Sequence, residues 1–167
     1  MKQTATTLIL NQHQIQQKIR RIAYQIYESN LDEKEIIIAG IASNGFELAK
    51  KLKTLLEEIS PIKILICEVK IDKKKPLNAV KTSLSSTDYE NKSIILVDDV
   101  LNSGTTLIYG VKHFLEVPLK KFQTAVLVDR SHKKYPVKAD FKGISLSTSL
   151  SEMVRVSFDE PNKVELH

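Results

Sequence analysis

Asp98 and Asp99 are adjacent carboxylates that follow the apolar run Ser93-Ile94-Ile95-Leu96-Val97 and precede Val100-Leu101-Asn102-Ser103-Gly104-Thr105-Thr106. Two neighbouring acids at the end of a buried strand repel each other and are costly without a cation or hydroxyl partners. The small Ser/Gly/Thr turn after them precedes a helix-like run, and a helix start offers unpaired N–H groups to a phosphate. The combination suits a sugar phosphate held together with a divalent cation. A solvated strand end, a receiver-type acidic pocket and a nucleoside-triphosphatase site are the competing readings. A receiver domain does not follow its acids directly with a phosphate turn. A triphosphatase requires a Gly-rich Lys-Ser/Thr loop, and the chain has none.

Patterns on either side show what must hold these residues. Asn11 to Asn30 carries Ile15, Ile19, Ile22, Ala23 and Ile26 at helical spacing. Glu35 to Gly40 reads as a buried strand, and Ile41-Ala42-Ser43-Asn44-Gly45 as the loop that leaves it. Phe46 to Ile59 returns to helical period, and Ile62 to Val69 forms a second strand beyond Pro61. Lys70 to Asn91 is polar and weakly patterned, a long loop or frayed hairpin of the length often used for lids. The motif strand is expected over Ser93 to Val97, its helix over Thr105 to Glu116, and a further strand over Phe122 to Val128. Short strand-like pieces follow at Gly143 to Leu146 and Met153 to Phe158. This alternation predicts a mainly parallel α/β sheet flanked by helices. Ligands of such sheets sit outside the carboxyl ends of the strands. The loops at Ile41 to Gly45 and Asp98 to Thr106 should therefore converge.

Composition bounds the alternatives. A chain of 167 residues with 42% hydrophobic content suits one domain with a sizeable core. The 25 basic against 20 acidic residues give a net charge of +5, which fits an anionic small ligand and permits RNA without requiring it. The single Cys67 excludes an internal disulfide and a Cys-rich zinc site, and its apolar setting predicts an inert buried thiol. His13, His113, His132 and His167 lack metal-ligand spacing. No apolar stretch approaches the roughly 18 residues of a membrane helix. The N-terminus lacks a basic-then-apolar leader pattern, so a cytoplasmic location is expected.

The stretch from Ser93 to Thr106 resembles the phosphoribosyl-diphosphate signature of type I phosphoribosyltransferases: apolar strand, two acids, a short spacer, then Thr/Ser-Gly-x-Thr. A second set of residues resembles one subfamily, the bifunctional pyrimidine-operon attenuators and uracil phosphoribosyltransferases. It comprises Ala125-Val126-Leu127-Val128-Asp129-Arg130-Ser131-His132, Pro136, Ala139-Asp140-Phe141, Gly143, Thr148-Ser149, Glu152 and Asp159-Glu160. The helices around Arg20-Arg21-Ile22-Ala23 and Leu48-Ala49-Lys50-Lys51-Leu52 are also similar, so the likeness spans about Ile9 to Glu160.

The resemblance implies a single type I phosphoribosyltransferase domain over residues 1–167, with a small C-terminal hood at about 129–154 that closes over the base. Phosphoribosyl diphosphate and a nucleobase are the implied substrates, uracil favoured, with Mg2+ as cofactor. Asp98 and Asp99 would be the catalytic pair beside the ribose hydroxyls, and would meet the metal directly or through water. Val100, Leu101, Asn102, Ser103, Gly104, Thr105 and Thr106 would surround the 5′-phosphate. Ala42, Ser43, Asn44 and Gly45 would hold the diphosphate, and Asp129, Arg130 and Thr148 would belong to the base hood. A homodimer or larger oligomer is also implied.

The chain departs from the subfamily in identifiable places. The diphosphate loop carries no basic residue, Thr105 replaces an Arg, and Asp72-Lys73-Lys74-Lys75 stands near the place of a Tyr-Arg-Asp-Asp lid motif. Leu146-Ser147-Thr148-Ser149 replaces Ile-Pro-Thr-Ser, and Tyr24 stands for a helix His. The Lys73 to Lys75 run is either solvated or reaches the diphosphate on closure. Lys133, Lys134 and Lys138 match positions of an RNA surface. Two other functions therefore remain open: a catalytically weak, nucleotide-sensing RNA-binding regulator of pyrimidine genes, and a purine phosphoribosyltransferase.

Overall fold

Along Glu35–Ile41 (β2) successive side chains pack into different cores: Ile36 and Ile38 face one, Ile37, Ala39 and Ile41 the other. The same division holds on Ser93–Leu101 (β5), where Ile95 and Val97 oppose Ile94 and Leu96. A sheet with apolar residues on both faces must be covered on both. Gln12–Ser29 (α1) and Asn44–Ile59 (α2) cover the first face, and Thr105–Phe114 (α4) covers the second. The computed structural model describes residues 5–167, so the leader reading falls partly on residues 1–4, outside the described residues.

The remaining elements are Thr7–Leu10 (β1), Lys63–Lys70 (β3), Lys81–Thr82 (β4), Ser86–Tyr89 (α3), Lys121–Asp129 (β6), Phe141–Ser145 (β7), Val154–Ser157 (β8) and Lys163–Leu166 (β9). Six strands form the central sheet in the order β4-β3-β2-β5-β6-β7, parallel except at β4. The mainly parallel α/β sheet flanked by helices is the architecture that the strand–helix alternation predicts. Three further strands form a separate antiparallel sheet in the order β1-β9-β8. Segment 129–154 therefore divides: β7 extends the main sheet, and the turn after it leads into β8.

Two of the boundaries that differ from the sequence expectation shape the site, each for a packing reason. The motif strand does not stop at Val97. β6 continues beside it, pairing Asp98 with Val126, Val100 with Val128 and Leu101 with Asp129, so the strand runs through Leu101. On its other side the pairing with β2 ends at Gly40 and Val97, which leaves the acidic residues without a strand neighbour there. α2 begins at Asn44 instead of Phe46, because Glu47 N donates to Ser43 O at 3.2 Å and Gly45 is pressed onto β5. Within 70–91, residues 81–82 pair with β3 and a short helix follows, so that stretch is part hairpin and part loop. Cys67 is fully buried in β3, and burial pushes its thiol pKa up, as an inert core thiol requires.

Candidate functional site

β2 and β5 are neighbours, yet the chain leaves β2 toward one side of the sheet and β5 toward the other. Their carboxyl ends thus open a crevice, and the turns at 42–43 and 102–104 lie beside it. The two loops that the sequence brings out at that edge meet there. A Cβ on Gly45 would lie 2.7 Å from Val97 O, 3.0 Å from Asp98 Cα and 3.2 Å from Asp98 Oδ1. Only a residue without a side chain lets the first turn of α2 approach the acids this closely. Gly40 serves the same contact from below, since its Cβ would fall 2.6 Å from Gly45 O. The Ala42–Ser43 peptide is cis.

The two acids occupy different environments. Asp98 is 4% exposed and its Oδ1 accepts from Asp99 N at 2.8 Å. Asp99 is half-buried, accepting from Val100 N at 2.8 Å and from Asn44 Nδ2 at 3.1 Å. Burial pushes the Asp98 carboxyl well above the usual carboxylate range, the Asp99 charge raises it further, and Lys73 pulls it partly back. A cleft of about 90 Å³ joins Asp98 and Asp99 to Ser103, Gly104 and Thr106, with Lys73 on its rim. Of the lysine run, Lys73 is the member that lines the cleft and acts on Asp98 through its charge. The amides of Lys74 and Lys75 instead fold back onto Asp72 Oδ1, each at 3.0 Å.

The turn after the acids is closed by its own side chains. Ser103 and Thr105 hydroxyls share a hydrogen bond at 2.8 Å, and Lys134 N donates to Ser103 O at 2.7 Å. Gly104 has φ +85°, a left-handed conformation that favours glycine, and Val137 Cγ1 lies 2.6 Å from where its Cβ would stand. It ends the turn and starts α4, whose first N–H groups have no partner within the helix. Val100 and Leu101 belong to the strand, so the turn proper is Asn102 to Gly104, followed by Thr105 and Thr106 on the helix.

Arg130, 8% exposed, ties this turn to the segment before β8. Its guanidinium donates to Asn102 Oδ1 at 2.9 Å, Thr148 Oγ1 at 3.0 Å, Ser149 O at 3.2 Å and Glu152 O at 2.5 Å. His132 Nε2 donates to Thr148 O at 2.5 Å. Asp129 is buried, accepts from Ser131 N at 2.9 Å and lies 3.7 Å from Lys142 Nζ. All three base-hood residues therefore cluster at the end of β6, beside the 102–106 turn.

Sequence reasoning missed three participants. The Val156 carbonyl on β8 accepts from Asn44 Nδ2 at 2.9 Å, a backbone role that leaves no trace in residue type. Lys70 and Lys81 line an open basin of about 500 Å³ together with Ala42, Ser43 and Asp72. Their lysine identity was visible, but the β3–β4 pairing that brings them together spans an unpatterned stretch. Among the described residues, no group of three or more His, Cys, Asp or Glu side chains could hold a metal ion by itself. Two carboxylates, one in each environment, suit a hard divalent cation that keeps water and ligand oxygens as its other partners. No described helix is long and apolar enough to cross a membrane.

Comparison with known proteins agrees with this geometry. The model of the phosphoribosyl transferase domain matches residues 5–160. The Bifunctional protein PyrR of Bacillus pumilus is 34% identical over 171 residues, covering 95% of this chain and 94% of its own. That of Alkaliphilus metalliredigens is 37% identical over 163 residues, covering 93% and 90%. The crystal structure of the hypoxanthine phosphoribosyltransferase of Trypanosoma cruzi superposes with a TM-score of 0.77 at 14% identity, covering 96% of this chain and 95% of that one, a likeness of fold. On these matches the chain belongs to the phosphoribosyl transferase domain family and, within it, to the relatives called bifunctional PyrR proteins.

Proposed function

We propose that the chain transfers the ribose 5-phosphate group of phosphoribosyl diphosphate to a ring nitrogen of a nucleobase, with uracil favoured. The base nitrogen forms a bond to C1 of the ribose as its proton passes to the departing diphosphate or to water, the C1–oxygen bond breaks, and diphosphate leaves with the bonding pair. Positive charge builds on the ribose ring in between. The protein needs no nucleophile of its own; it must align the base, hold both phosphate groups and exclude water.

The observation that carries this reading is the single cleft shared by Asp98, Asp99 and the 103–106 turn. Ser103, Gly104, Thr105 and Thr106 hold the 5′-phosphate through N–H and hydroxyl groups at the start of α4, with Asn102 braced by Arg130. Asp99 orients the ribose hydroxyls from a position fixed by Asn44. Asp98, whose carboxyl burial and the Asp99 charge hold above the usual range, would with Asp99 hold a divalent cation whose charge would favour the ionised pair. Mg2+, when bound, neutralises the diphosphate and polarises its oxygens. The 42–45 turn receives the diphosphate, and Asp129, Arg130 and Thr148 border the base.

Calorimetric titration with phosphoribosyl diphosphate and magnesium tests this, repeated on Asp98→Asn/Asp99→Asn. Tight magnesium-dependent binding, lost in the double variant, is the expected result. No binding by the wild type would refute the transferase reading. A panel of uracil, hypoxanthine and guanine then decides the base: turnover with uracil alone is expected, and turnover with hypoxanthine or guanine would favour the purine reading.

A second reading has its own support. Relatives carry the name bifunctional, and Lys133, Lys134 and the largely solvent-facing Lys138 make a basic stretch beside the hood. A nucleotide-sensing regulator would bind RNA there with steep salt dependence, modulated by UMP. Transfer activity without RNA affinity would leave the enzyme reading alone. A homodimer in a cytoplasmic setting completes the proposal, and sedimentation at micromolar concentration checks the dimer.

A further inference from the structure

The 42–45 turn must accept a strongly anionic group, yet Ala42, Ser43, Asn44 and Gly45 bring no charge to it. Backbone N–H groups alone hold a diphosphate less firmly than charge-assisted contacts do. Resting on the transferase reading, we infer that Lys70 and Lys81 form the cationic wall of the diphosphate subsite.

Two observations support this independently. The first is placement. Ala42 N donates to Val69 O at 2.8 Å, which lays the turn against the end of β3, next to Lys70. Lys70 and Lys81 line one open basin with Ala42 and Ser43. The one acid of that basin, Asp72, is already engaged: its carboxylate accepts from Lys74 N, Lys75 N and Asn78 Nδ2, and these bonds hold its pKa below the usual carboxylate value. It therefore presents little free acceptor capacity toward the lysines.

The second is register. β4 is only two residues long and pairs Lys81 directly opposite Lys70. Directly opposed residues of an antiparallel pair point to the same face, and like charges there are destabilising. Lys70 has a partial counterion in Glu68, 3.5 Å away, whereas Lys81 has no ion pair among the described residues. A pairing this short would not place two cations side by side for stability. An anion between them turns the repulsion into a binding element, and the basin places that anion beside Ser43.

The full chain is titrated calorimetrically with inorganic diphosphate plus magnesium and, separately, with UMP. Wild type is compared with Lys70→Gln, Lys81→Gln, the double variant and Lys81→Arg. Each Gln variant should weaken diphosphate binding about tenfold, the loss expected for one charge-assisted contact. The double variant should lose more, Lys81→Arg should stay near wild type, and UMP affinity should not change. The double variant should also melt no lower than wild type without ligand, because it removes a repulsion. Unchanged diphosphate affinity in the double variant overturns the inference, as does a parallel loss of diphosphate and UMP binding. Wild type that binds UMP but not diphosphate also overturns it and leaves the nucleotide site standing. Wild type that binds neither ligand refutes the underlying transferase reading instead.

Discussion

Asn44 and Asp99, 55 positions apart in the chain, are joined by a hydrogen bond of 3.1 Å from the amide to the carboxylate. The same amide donates to Val156 O at 2.9 Å, so a single side chain fastens the acidic strand, the start of α2 and β8 together. Asn44→Ala frees one oxygen of Asp99 and leaves a carbonyl unpartnered. We expect a loss of about 1–2 kcal/mol in stability and a drop of about tenfold or more in kcat/KM for phosphoribosyl transfer. Asn44→Asp should be worse, because it adds a third carboxylate to the cluster. Thermal melts and steady-state kinetics on the two variants check both statements.

Asp98 makes the ligand-free protein sensitive to pH in a defined direction. Its folded pKa is raised, by burial first and by Asp99 second, so the folded state keeps a proton that the unfolded chain releases near pH 4. Between the unfolded and the folded value the native state binds more protons, and stability falls as pH rises through that window. Each unit of separation costs about 1.4 kcal/mol once both states are ionised. Asp98→Asn should therefore melt higher than wild type at neutral pH, flatten this part of the pH profile and abolish transfer. A lower melting temperature for Asp98→Asn at pH 7 would contradict it.

The lysines of the 73–75 run should separate in kinetics. Lys73 borders the acidic cleft, whereas Lys74 folds its amide back onto Asp72 and is solvent-exposed. Lys73→Ala should reduce kcat/KM by about tenfold, as loss of one charge contact would. Lys74→Ala should stay within twofold of wild type, and Asp99→Ala should cost more than either. Equal losses for Lys74 and Asp99 would remove the basis for ranking them.

Arg130 reaches four acceptors from an almost closed site. Arg130→Lys keeps the charge but cannot span Asn102 and the 148–152 segment at once. A loss of about 2–3 kcal/mol in stability is expected, with KM for both substrates raised, since the phosphate turn and the hood loosen together. A KM effect confined to the base would limit Arg130 to the hood.

Much of this site was legible because chemistry and period coincide within it. Asp98, Asp99 and the Ser103–Thr106 turn follow an unmistakable apolar strand, and the alternation of elements places the 42–45 turn at the same sheet edge. The strand end at Leu101 was not legible, because pairing with β6 carries it past two charged residues that would ordinarily end a strand. β1 and β9 escaped as well. Each has four residues, and β1 becomes a strand by pairing with β9, more than 150 positions away, a tertiary fact without local signature. The bracing role of Arg130 was not legible either: its bonds to Asn102, Thr148, Ser149 and Glu152 join segments that lie 18 to 28 positions away from it and carry no pairing signal in residue type.

Among the described residues, β8 pairs in its small sheet with β9 alone, and β9 in turn with β1. Asn44 leans on β8 through Val156. During synthesis, Lys163–Leu166 leave the ribosome after the other described strands, so among these elements the brace behind Asn44 and Asp99 is completed last. A nascent chain that has already paired its main sheet therefore still lacks the backing of Asn44, and the four-residue strand β9 supplies it.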